Sequence, residues 1–170
     1  GDGKSLYVVA EESNYLLVID RESKKLTGRI KVGNRPHSIV LDKGGKKAYI
    51  SNQWSDNVSV VDLASLSVAE ELKTGNGPAG IGLSNDGQTL IVVNSYSSDI
   101  SILDLSTGAE RKRLAAGNNP TGLQTSPDGS MIYVTSRRTL AKPFDDTVRC
   151  ELTIINEQKQ RIADRIDIIS

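Results

Sequence analysis

One cysteine, one histidine, one tryptophan, one phenylalanine and one methionine are all that 170 residues hold of those types. Cys150 alone excludes an internal disulfide and leaves the redox compartment open. His37, with no cysteine or carboxylate cluster at matching positions, cannot fill a metal's coordination sphere by itself. Net charge is missing too. Lys plus Arg and Asp plus Glu stand at 21 each, so no global field recruits nucleic acid or an anionic membrane. Lys24, Lys25, Lys43, Lys46 and Lys47 are close enough in the chain to form a cationic patch. No aromatics accompany them as a single-strand groove requires, so a solvated surface is expected and nucleic acid is not. No apolar run approaches the roughly 18 residues of a membrane span, and no helix-length apolar periodicity is present.

What the chain does have is repetition at intervals of 42 residues. Gly3, Gly45, Gly87 and Gly129 fall in step, as do Asp20, Asp62 and Asp104, then Gly33, Gly75 and Gly117, then Pro36, Pro78 and Pro120. One supersecondary unit has been copied nearly four times. Read from Pro36, a copy contains HSIVL, AYISN, VSVVD and SVAEELKTG, separated by Gly, Asn, Asp and Ser. These are four short strands at the spacing of all-β folds. The first three are apolar and the fourth is charged, as in Glu110-Arg111-Lys112-Arg113. A strand sandwiched between sheets reads as a continuous apolar run, whereas an outer one carries charge, so the order runs from inside to outside.

Four graded antiparallel strands in about 42 residues predict an all-β fold, a β-propeller of four-stranded blades. Gly80, Gly82 and Gly122 fall in the innermost strand, where blades converge and large side chains would collide. Asp86-Gly87 and Asp128-Gly129 supply the positive φ of a tight hairpin. The expected boundaries are strands within 6–32 for blade 1, lacking its innermost strand, then 36–74, 78–116 and 120–169. The last carries an insertion near 137–149, because the strand end marked by Asp104 recurs at Asn156 rather than at 146. About four blades are thus present. The simplest expectation is an arc of a longer polypeptide with roughly seven blades, within the range typical of the fold; a poorly closed four-bladed ring and a ring completed by self-association with a second chain stay open.

The phrase Ser126-Pro127-Asp128-Gly129, then Ile132-Tyr133-Val134-Thr135, resembles the YVTN-type β-propeller repeat. Leu6-Tyr7-Val8-Val9, Val58-Ser59-Val60-Val61-Asp62 and Lys31-Val32-Gly33-Asn34-Arg35-Pro36 match it as well, so the resemblance spans essentially the whole chain. It implies a periplasmic or extracellular location. It also extends to propellers of periplasmic redox proteins that use haem, copper or quinone, and to lactonase-like enzymes.

Strand alternation sorts the loops into two faces. One carries the blade links, such as Gly33-Asn34-Arg35-Pro36, and the second-to-third loops, Glu11 to Asn14, Gln53 to Asn57, Ser95 to Asp99 and the enlarged Arg137 to Arg149. Variation laid over an invariant frame on one face is how a rigid scaffold hosts binding. Glu12, Trp54 and Tyr96 occupy equivalent positions there. The enlarged loop brings Arg137, Arg138, Lys142, Phe144 and Arg149, a basic lobe with one aromatic, suited to anionic groups or to docking a partner. Arg35 and His37 flank Pro36, and Ala79 and Thr121 are the equivalents of His37 around the channel entrance.

Two patterns carry no chemistry. Gly75-Asn76-Gly77-Pro78-Ala79-Gly80 spells a dinucleotide fingerprint, but Ile81-Gly82-Leu83 continues as strand where a helix is needed. Asp20, Asp62 and Asp104 end the third strand, where a carboxylate caps turn amides, and Asn156 does the same. The leading expectation is a non-catalytic binding or scaffold module that takes a protein or small-molecule ligand on the loop face. The alternative is a fragment of one of the redox or lactonase-like enzymes. No cofactor is evident, and haem or metal would need residues outside this segment.

Overall fold

The computed structural model describes residues 3–138 and 149–169. Four antiparallel sheets follow one another along the chain, each with its strands in sequence order, and no helix occurs among the described residues. Blade 1 has three strands, β1 (Ser5–Ala10), β2 (Tyr15–Asp20) and β3 (Leu26–Lys31). Blade 2 has four, β4 (Pro36–Leu41), β5 (Lys47–Asn52), β6 (Asn57–Asp62) and β7 (Ser67–Lys73). Blade 3 is β8 (Pro78–Leu83), β9 (Thr89–Asn94), β10 (Asp99–Asp104) and β11 (Glu110–Ala115). Blade 4 is β12 (Pro120–Thr125), β13 (Met131–Arg138), β14 (Arg149–Asn156) and β15 (Arg161–Ile169).

Turn chemistry sets these strand ends. Gly45, Gly87 and Gly129 sit at φ of 64°, 73° and 73° between the first and second strands of successive blades. The side-chain partner differs between copies. Asp42 alone accepts the amides of Lys46 and Lys47, whereas Ser84 and Ser126 accept those of Thr89 and Met131 and donate to Asp86 and Asp128. The outermost pairing of each blade carries a register shift at the same repeat position, after Val18, Val60, Ile102 and Ile154. The innermost pairings shift just after Pro36, Pro78 and Pro120, where the missing N–H breaks the ladder.

The core consists of three apolar layers, each between two blades. Leu16, Val18 and Ile30 of blade 1 meet Ala48, Ile50 and Val61 of blade 2. Tyr49, Val58, Val60 and Leu72 meet Leu90, Val92 and Leu103. Ile91, Val93 and Ile100 meet Ile132, Val134 and Ile155. The middle strands β5, β6, β9 and β10 are buried nearly throughout, and β7 and β11 are mostly exposed. The inner strands converge as their glycines predict: a Cβ on Gly80 would stand 2.6 Å from the Thr121 carbonyl, and one on Gly82 would stand 2.5 Å from Leu123 Cδ2. Gly122 serves a different purpose. Its missing Cβ makes room for Thr135 Oγ1 of its own sheet, 2.5 Å away, rather than for another blade.

The enlarged loop is narrower than the sequence suggests. Arg137 pairs with Cys150 and Arg138 with Arg149, so the ends of the 137–149 stretch are added rungs of the β13–β14 hairpin. Extending a ladder satisfies backbone groups that a loop would leave to water.

The aspartate series is structural. Asp20 accepts from Ser23, Asp62 from Ala64 and Ser65, and Asn156 Oδ1 from the Lys159 amide. Asp104 accepts from the hydroxyl and amide of Ser106 and from Arg111, and these bonds hold its carboxyl at about 2, below the ordinary 3.8. Asp128, bonded by the Ser126 hydroxyl and by the amide and hydroxyl of Ser130, lies at about 2 as well. A carboxyl whose folded pKa is depressed adds stability that is complete above its unfolded value and fades as pH falls through the folded one. Thermal midpoints should therefore fall as pH drops from about 4 towards 2. Asp104→Asn should flatten that part of the curve, as measured by melting in a pH series.

Candidate functional site

The loop face is built on a backbone frame that recurs from blade to blade. Residues 35, 77 and 119 of the links all adopt positive φ, at 51°, 65° and 46°. The Arg35 amide donates to Asn14 Oδ1 at 2.7 Å and the Gly77 amide to Asp56 Oδ1 at 2.8 Å, both on the loop of the preceding blade. The Arg35 carbonyl accepts from Gln53 and the Gly77 carbonyl from Ser95, both on the following blade. The Asn34 and Asn76 carbonyls likewise accept from the amides of Trp54 and Tyr96 at 3.1 Å. Each link thus ties two loops together through main-chain groups. At the third link the matching bonds, Asn119 to Ser98 and Arg137 to Asn119, lengthen to 3.4 Å. Because the frame uses backbone and short polar side chains, the side chains of residues 54 and 96 are not needed to hold it.

Trp54 is 62% exposed and Tyr96 59%, the two most open aromatic side chains of this face among the described residues. Arg35 reaches over the Trp54 ring, with its guanidinium carbon 4.7 Å from the centroid, and its Nε bonds Glu11 Oε1 at 2.5 Å. That hydrogen bond raises the Arg35 pKa, keeping the cation in place. A cleft of about 310 Å³ opens between Glu11, Glu12, Asn14, Asn34, Arg35 and Trp54. One blade on, Gly77 takes the place of Arg35, and the Tyr96 ring lies where a Cβ would be, 2.5 Å from its position. An aromatic ring over a link residue is therefore a repeated device, with a charged cover in one copy and bare backbone in the other.

The remaining sequence candidates divide. His37 is exposed on β4 with Nδ1 3.1 Å from Ser38 Oγ. Its equivalent Thr121 is exposed, but Ala79 is buried and its carbonyl accepts the Ser51 hydroxyl of the neighbouring blade. The three positions thus do not form a uniform ring of accessible side chains. Arg137 is exposed at the hairpin end. The backbones of Arg138 and Arg149 sit opposite each other there, and Lys142 and Phe144 lie outside the described residues. Among the described residues no group of three or more His, Cys, Asp or Glu side chains is arranged to hold a metal.

Sequence reasoning missed Glu11 as the partner of Arg35, since the contact joins residues 24 apart across two blades. It also missed a trough of about 510 Å³ on the opposite face, lined by Val40, Ile81, Leu83 and Leu123 of the inner strands and by the 84–87 and 126–129 turns. Lys43 spans part of it to the Asn85 carbonyl. Alternating apolar residues in three successive inner strands were the available signal, but strand alternation alone does not say which side stays uncovered.

A family model described as a domain of unknown function, DUF5074, matches residues 2–162. The chain belongs to this family. No match was found among curated proteins. Among solved structures the chain is similar to hydrazine synthase of Kuenenia stuttgartiensis, with a TM-score of 0.89 at 24% identity, covering 99% of this chain and 47% of that one. The chain therefore spans about half the length of that structure, and the likeness establishes the propeller fold. More than a thousand solved chains match, so the architecture by itself selects no chemistry. No helix among the described residues is long and apolar enough to cross a membrane.

Proposed function

We propose that this propeller module is a non-catalytic binding unit that takes a protein segment or small ligand on its loop face. The observation carrying the reading is the pair of open aromatic rings, Trp54 and Tyr96, at equivalent repeat positions on a frame fixed by main-chain hydrogen bonds. Rigid rings with polar rims supply contact area at little entropic cost and suit ligands that present one apolar face. Arg35, Glu11 and Glu12 add directional polar contacts beside Trp54, and the exposed Arg137 adds positive charge at the β13–β14 hairpin. On this reading the repeats are of the YVTN type and the protein works in the periplasm or outside the cell, as the Ser126-Pro127-Asp128-Gly129 phrase and its neighbours suggest.

Trp54 is the only tryptophan, so its fluorescence reports on this face directly. Titration with a panel of oligosaccharides and peptides should shift that emission. Trp54→Ala and Tyr96→Ala should each weaken whichever ligand binds by about tenfold or more, the usual weight of a central aromatic contact, measured calorimetrically. Unchanged affinity in both variants would exclude the loop face as the site.

The second reading is a piece of a redox enzyme, favoured by the fold likeness to hydrazine synthase. It assigns His37 on the inner strand to a cofactor completed by residues elsewhere. A Cys-x-x-Cys-His run in the intact polypeptide, which covalent haem attachment requires, would favour it over the binding unit.

A further inference from the structure

The Arg35–Glu11 ion pair belongs to one blade junction, and the fold does not need it. Gln53 and Gly77 hold the places of Glu11 and Arg35 at the next junction, and Ser95 and Asn119 at the one after, where no such pair can form. The main-chain ties of the links recur at both of those junctions all the same. The cleft of about 310 Å³ beside the pair is walled by residues of the 11–14 loop of blade 1, by the 34–35 link and by Trp54 of blade 2, so its walls belong to two consecutive blades. It lies at the small end of the range for small-molecule sites. Stacked over Trp54 and anchored through Nε on Glu11 Oε1, the Arg35 guanidinium is held in place. That bond uses Nε and one carboxylate oxygen, which leaves the two terminal nitrogens as donors and Oε2 as a neighbouring acceptor. Both side chains can be reached from water, at 38% and 41% exposure.

We propose that the ligand of this cleft, an assignment that rests on reading the loop face as the binding surface, is a neutral sugar whose adjacent hydroxyls engage Arg35 and Glu11 while its C–H face lies against Trp54. A hydroxyl is both donor and acceptor, so two of them on neighbouring carbons match a guanidinium and a carboxylate that stand together. Their oxygens accept from Nη1 and Nη2 and an O–H donates to Oε2, each bond strengthened by the charge on the protein partner. Ions fit less well. Arg35 already fills the place of a cation over the ring, and an anion must approach both Glu11 and Glu12 with a single guanidinium to offset them. An apolar ligand would strip water from the ion pair and return no hydrogen bond. A sugar keeps those groups bonded, and the ring supplies contact area for its less polar side.

The test is calorimetry, with Trp54 emission in parallel, against neutral trisaccharides of glucose, mannose, galactose, xylose and N-acetylglucosamine, with oligolysine and oligoglutamate peptides as charged probes. At least one trisaccharide should bind, and its affinity should change by less than about twofold between roughly 0.05 and 0.5 M NaCl, because a neutral ligand gives salt no net charge to screen. Glu11→Gln and Arg35→Lys keep the main-chain frame, so circular dichroism should report an unchanged fold, and each should weaken that sugar by about tenfold or more, the weight of a hydrogen bond to a charged group. A charged peptide that binds through Trp54 while no trisaccharide does overturns the sugar assignment and leaves the loop-face reading standing. Sugar binding that survives both substitutions undiminished overturns it too, as does a panel in which no trisaccharide binds. The loop-face reading is judged separately, by Trp54→Ala and Tyr96→Ala on whichever ligand binds.

Discussion

Gly80→Ala is expected to destabilise the fold by about 3 kcal/mol, the upper part of the range for overpacking. The added Cβ would stand 2.6 Å from the Thr121 carbonyl and 3.2 Å from the Leu123 amide, both backbone atoms of the neighbouring inner strand. Neither can rotate aside, so relief requires β8 and β12 to separate and the layer behind them to loosen. Gly87→Ala is the control. No atom lies within 4 Å of its Cβ position, but its φ of 73° suits glycine, so only the left-handed backbone cost of about 1–2 kcal/mol applies. Urea unfolding of the three proteins compares the two effects. A loss at Gly80 no larger than that at Gly87 would mean that the blades are not wedged together at the axis.

Leu90→Ala and Leu6→Ala make the second comparison, because the two residues hold the same place in their repeats. Leu90 is 0% exposed between blades 2 and 3, so truncation removes a buried side chain and leaves a cavity, costing about 3 kcal/mol within the usual 2–5. Leu6 is 51% exposed at the open end, and its truncation should cost about 0.5 kcal/mol or less. Similar losses at both sites would show that the blade 1 face is covered in solution.

The all-β architecture and its inside-to-outside order were legible because repetition multiplies weak local signals. One AYISN segment says little, whereas Leu6-Tyr7-Val8, Ala48-Tyr49-Ile50 and Ile132-Tyr133-Val134 in step leave few folds open. The structural reading of Asp20, Asp62 and Asp104 was legible for the same reason: a carboxylate before a turn satisfies amides within a few residues, a contact that chain proximity guarantees. The candidate face was legible in part. Trp54 and Tyr96 were identifiable as equivalent loop aromatics, but their exposure and the Arg35 cover over Trp54 were not. Nor was the extension of β13 and β14 into the insertion, since Arg138 and Arg149 carry no strong strand preference and their pairing closes across residues of irregular sequence.

Strand order, turn placement and the grading from apolar to charged follow from local rules, propensity, alternation and the short-range hydrogen bonds of turns, and these act within a dozen residues. Whether a given apolar position is covered depends on the neighbouring blade, about 42 residues away, and on whether a neighbour is there at all. Leu6 and Leu90 are the same residue in the same local text, yet one is half open and the other sealed. Burial is a property of the packed arc, and only the tertiary structure assigns it.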